Sequence, residues 1–157
     1  MDSLGLIAEL QEERARFFAT LSAVRPESMT TPGLVGEWSA RELIAHLGYW
    51  AGHATELIHS VEQGRGDEAG LGEATVDEVN ETVARVARET DLSTVRQREE
   101  RALEALIDRI AALDPVLLAS ELADGATLEE GIREDGALHY REHADALARS
   151  LGERPRG

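Results

Sequence analysis

Gly36-Glu37-Trp38-Ser39-Ala40-Arg41-Glu42-Leu43-Ile44-Ala45-His46-Leu47-Gly48-Tyr49-Trp50 is the stretch on which the fold turns. Ser39 and Glu42 make a capping box: the serine oxygen accepts the amide three residues on, and the glutamate reaches back to the Ser39 amide. Trp38, just outside the cap, can staple the entering chain onto the first turns. Apolar residues then recur at helical rather than alternating spacing. The helix so begun runs to about Gln63, where Gly64, Gly66, Gly70 and Gly72 open a loop.

Working outward, the remaining proline-free blocks also read as helices. One spans about Ser3 to Val24, with Leu6, Leu10, Phe17 and Leu21 on its stripe. A shorter segment covers Thr75 to Arg88, and another helix runs from about Leu92 to Leu113, ended by Asp114-Pro115. Thr127-Leu128-Glu129-Glu130 is a second capping box, opening a last helix that reaches about Leu151. No stretch alternates as a strand would. The expected fold is all-α, a four-helix bundle with a long crossover and a short extra helix between helices 2 and 3. At 157 residues, a single domain over 1–157 is expected.

Composition excludes several chemistries. The chain has no cysteine and no lysine, so thiolate nucleophiles, Cys-type metal sites, lysine Schiff bases and P-loop lysines are out. Thirty-one acidic residues against 16 basic ones give a formal net charge of −15. That balance argues against nucleic acid or an anionic membrane as partner, since both reward clustered cations. The amino terminus has no basic region followed by an apolar run, and nothing approaches a membrane span. A cytoplasmic protein is the expectation.

Histidine is left as the main reactive side chain. At about 100° per residue, His46, Trp50, His53 and Leu57 share one face of the second helix within about 40°. On the last helix His139 and His143 form an i, i+4 pair in the middle of the stripe that includes Leu128 and Ile132. His59 points to solvent. Two imidazoles on successive turns can share a metal, and His46 is the natural third ligand from another helix. Three protein nitrogens would leave a position open for water or substrate. Buried histidines satisfied by carboxylates remain the alternative at this point. Asp135, one turn before His139, could orient that imidazole. Trp50 and Tyr49 could wall a pocket or simply pack, and His53, about 10 Å along the axis from His46, suits polar packing better than ligation.

Gly36 to Leu47 with Tyr49-Trp50 resembles the W-S-x-x-[DE]-x-x-x-H-L-x-x-W signature of DinB-like proteins, which include the amino-terminal domain of mycothiol-dependent maleylpyruvate isomerase. His139-Tyr140-Arg141-Glu142-His143 is similar to that family's closing H-Y-x-E-H motif, and Asp77-Glu78-Val79-Asn80 resembles its pattern between helices 2 and 3. The resemblance implies a bundle with a long crossover, often a homodimer. It implies a divalent metal, commonly zinc or nickel, on His46, His139 and His143. The isomerase branch carries glutamate at the position matching His139, so an all-histidine set fits the broader superfamily. Many relatives have an acidic residue where this chain has Ala51. Family activities are mostly isomerisation or S-transfer with a low-molecular-weight thiol as co-substrate, so a small-molecule substrate is expected. Hydrolysis from the same ligands, and a non-enzymatic metal-binding dimer serving as a stress or scaffold protein, are the alternative expectations.

Overall fold

The structure, a computed structural model, describes residues 1–153; Pro155 and the end of the expected domain lie outside the described residues. The helices are α1 (Ser3–Leu21), α2 (Ala40–Glu62), α3 (Val76–Arg88), α4 (Leu92–Ala112), α5 (Leu128–Asp135) and α6 (Ala137–Gly152). Among the described residues there is no strand, only two isolated bridges, Val35 with Trp38 and Glu121 with Thr127. Both capping boxes form. Ser39 accepts the Glu42 amide at 3.3 Å, and Thr127 accepts that of Glu130 at 3.2 Å.

Side-chain contacts give the topology. Glu9 pairs with Arg133, Glu13 with Arg141 and Arg16 with Asp145, so α1 runs parallel to α5 and α6. Arg41 reaches the Thr90 carbonyl, and Arg109 pairs with Glu62, so α2 and α4 are also parallel. That orientation requires the long crossover, which carries α3 along the outside of α2. Gly48 permits the α2–α4 approach: a Cβ there would lie 2.9 Å from the Glu99 Cα. Leu6, Leu10, Phe17, Leu43, Ile44, Leu47, Leu106, Ile110 and Leu147 fill the space between the four walls. Within that core Glu99 is 1 % exposed; it accepts from Arg14 Nε at 2.5 Å and from the Tyr140 hydroxyl at 3.3 Å.

The last helix differs from expectation. It is not continuous from Thr127 to Leu151 but breaks at Gly136, which ends α5 and starts α6. Only glycine fits this bend, because a Cβ would come within 2.8 Å of the Ile132 carbonyl oxygen. The break also resets the register. The buried centre of α6 is Ala137, Tyr140, Ala144 and Leu147, so His139 and His143 sit on the flank of the stripe toward α2 rather than in its middle.

Candidate metal centre

The capping box starts α2 at a position that places His46 two turns in, facing α6. From α6, His139 and His143 reach back. The Nε2 atoms of His46 and His139 are 2.7 Å apart, and the ring of His143 lies 4.8 Å from each of the other two, centroid to centroid. One ring nitrogen from each of the three lies within 4.8 Å of the others. Two tryptophans flank the cluster: Trp38 packs 4.8 Å from His46, and Trp50 lies 6.1 Å from His139.

All three imidazoles are held neutral. Burial, reinforced by the two neighbouring imidazoles, pushes His46 down to about 2. Burial and then His143 push His139 down to about 4, against a hydrogen bond that its imidazole donates to the Asp135 backbone carbonyl. His143 is lowered by burial, with Glu142 opposing. A neutral imidazole is the ligating form.

The protein by itself does not satisfy this cluster. The Nδ1 atoms of both His46 and His143 are buried without a hydrogen-bond partner, and an unsatisfied buried polar atom costs roughly 1–3 kcal/mol. Three neutral nitrogen donors on two helices match the donor set of a divalent transition metal, and they leave coordination positions uncommitted. The residues therefore fit a divalent ion.

The other singled-out residues fall around the cluster. His53 is outside it, with the Trp50 ring 5.1 Å away; its Nδ1 lies 2.6 Å from an Asp135 carboxylate oxygen. Asp135 thus meets His139 through its main chain and His53 through its side chain. Trp50 donates to Asn80 Oδ1 at 2.9 Å. Tyr49 packs edge-on against Trp50 but is 39 % exposed on another flank of α2. His59 is exposed.

Trp50, His53 and Asp135 also line a cleft of about 540 Å³ under the glycine-rich crossover loop, next to the histidines. Its walls add Leu57, Leu71 and Leu122 to the carboxylates of Asp67, Glu68, Asp124 and Glu134. Periodicity assigned no site role to Trp38 or Asn80. The signal for Trp38 was its place immediately before a cap, and for Asn80 the polar position one turn into α3 on its α2-facing side.

The model of the mycothiol maleylpyruvate isomerase N-terminal domain family matches residues 10–134. The chain belongs to that family, whose fold is DinB-like. The match includes His46 and stops before His139 and His143, which join the site by geometry. No curated protein matches the sequence. Two solved structures share the fold. One is an uncharacterised protein from Escherichia coli UTI89, at 13 % identity and a TM-score of 0.81, covering 96 % of this chain and 93 % of that one. The other is the colibactin self-resistance protein ClbS, solved in complex with a dsDNA, at 15 % identity and a TM-score of 0.73, covering 98 % and 97 %. Among the described residues no helix is long and apolar enough to cross a membrane.

Proposed function

We propose that this member of the family is a metal-dependent enzyme that holds zinc or nickel through His46, His139 and His143 and acts on a small molecule with a low-molecular-weight thiol. The observation that carries the reading is the gathering of three neutral imidazoles, two with orphaned Nδ1 atoms, with one ring nitrogen of each within 4.8 Å of the others between α2 and α6. When bound, such an ion lowers the pKa of a thiol or water at its free position. The chain has no cysteine, so a thiol would come from outside. The cleft beside Trp50 gives the substrate a place next to the ligands, with His53 and Asp135 on its wall. S-transfer or isomerisation is the reaction class the family favours; hydrolysis would draw on the same ligands.

The dsDNA in the ClbS complex raises nucleic acid as a second reading for this chain. Its formal charge of −15 weighs against that, because phosphate binding is driven by counterion release to clustered cations.

Metal content of untagged protein tests the proposal first. One equivalent of divalent metal per chain is expected, with loss in His139→Ala/His143→Ala. A hundredfold excess of zinc over its Kd would add about 2.7 kcal/mol and raise Tm by roughly 5–10 °C. Equal, negligible metal in both proteins, with no shift, would remove the basis of the reading. With metal present, thiol consumption against a panel of electrophiles separates an enzyme from a structural site.

A further inference from the structure

A second cavity lies between α2, α3 and α4, on the flank of α2 that carries Tyr49 rather than His46. It measures about 310 Å³, within the range of small-molecule pockets. Ala45, Gly48, Val83, Val86, Ala87 and Val95 give it an apolar lining.

Every polar group on its wall can be accounted for. The Thr82 hydroxyl donates to the Glu78 carbonyl at 3.0 Å, and that of Thr90 to the Val86 carbonyl at 2.7 Å. The Glu99 carboxylate is turned inward, taken by Arg14 and Tyr140. Two groups are left, both on exposed residues at the pocket's rim: the Tyr49 hydroxyl and the Arg98 guanidinium, neither with a hydrogen-bond or ion-pair partner among the described residues. The pocket thus combines an apolar interior with a phenol and a permanent cation at its solvent-facing rim, and its one carboxylate is already neutralised. An amine would find no free acceptor of charge there, and a neutral hydrocarbon would leave Arg98 unused.

We propose that this pocket binds an apolar monocarboxylate, such as a medium-chain fatty acid, with its chain between α2, α3 and α4 and its carboxylate accepting from Arg98 and Tyr49. The site is distinct from the histidine cluster and does not depend on metal.

Isothermal titration calorimetry with octanoate, 1-octanol and octylammonium as probes tests it. Octanoate is expected to bind once per chain, about tenfold more tightly than octanol, with octylammonium weaker still. Arg98→Gln should bring octanoate down to the octanol level, and Tyr49→Phe should cost a few-fold. Val83→Trp should fill the pocket and abolish binding of all three, with helicity by circular dichroism confirming that it folds. His143→Ala should change nothing. Equal affinity for octanoate and octylammonium, or indifference to Arg98→Gln, would overturn the proposal. So would failure of octanoate to bind, including the case where sedimentation shows a dimer that Val86→Asp dissociates, which would make this face a contact between copies.

Discussion

The His53 imidazole and the Asp135 carboxylate are joined by a 2.6 Å contact that spans α2 and α5, separate from the three clustered histidines. The bond directs the Asp135 side chain away from His139, which it touches only through the backbone. Asp135→Asn keeps that backbone and a side chain able to bond His53. Metal affinity is therefore expected to change by less than about threefold, whereas deleting a ligand such as His143 should cost well over a hundredfold, since a typical outer partner is worth 10–100-fold. Competition with a chromophoric chelator measures both. A loss in Asp135→Asn as large as in His143→Ala would place the carboxylate among the ligand-orienting groups.

Acid should destabilise the metal-free protein well above the carboxylate range. Below about pH 6.5 the unfolded chain protonates His46 and His139, while the folded chain holds them down to about 2 and about 4. The unfolded state then binds more protons, so stability is full above pH 6.5 and falls as pH drops through 6 and 5. The loss is up to about 1.4 kcal/mol per histidine at pH 5.5. Glu134 and Asp135, raised by burial, have the opposite sign: they regain stability as pH falls from their raised folded values toward the ordinary 4.5 and 3.8, and so offset part of the histidine loss. Urea midpoints at pH 7.5, 6.5 and 5.5 should decline in that order; a flat series would contradict the assignment.

Gly48 and Gly52 occupy one face of α2 four residues apart but have different roles. Gly48→Ala drives a Cβ to 2.9 Å from the Glu99 Cα, so α2 and α4 must separate, at roughly 1–3 kcal/mol. Gly52→Ala meets nothing within 4 Å and should stabilise by about 0.5–1 kcal/mol through helix propensity alone. Thermal melts of the two variants should move in opposite directions.

Glu99 anchors three helices. Glu99→Ala strips both Arg14 and the buried Tyr140 hydroxyl of their partner, and about 3–5 kcal/mol is expected from breaking such a pair on one side. Tyr140→Phe removes only the 3.3 Å bond and should cost about 1 kcal/mol. Chemical denaturation checks the ratio between the two.

What could be read in the sequence followed from local chemistry. Ser39–Glu42 and Thr127–Glu130 announce helix starts because a capping box is complete within four residues, and both form. His139 and His143 could be paired because an i, i+4 spacing within one helix sets their mutual placement, while their facing toward His46 depends on the register that the Gly136 break sets. The break at Gly136 was hidden because the requirement for glycine comes from the path of the chain at Ile132, a contact that the apolar spacing on either side does not report. Trp38 against His46, and Asn80 against Trp50, are contacts between segments that no short-range pattern specifies.

The bend at Gly136 also has an electrostatic effect. Because α6 starts at Ala137, His139 is a residue of the first turn of a new helix. An unbroken helix would have put His139 mid-span, where the partial charges of successive peptide units compensate one another. Instead the positive pole of α6 faces the histidine cluster. The last carbonyls of α5 lie beside that pole, and the Asp135 carbonyl among them accepts from the His139 imidazole. The glycine that interrupts the helix thereby gives His139 two helix ends as neighbours, one presenting amides and the other carbonyls.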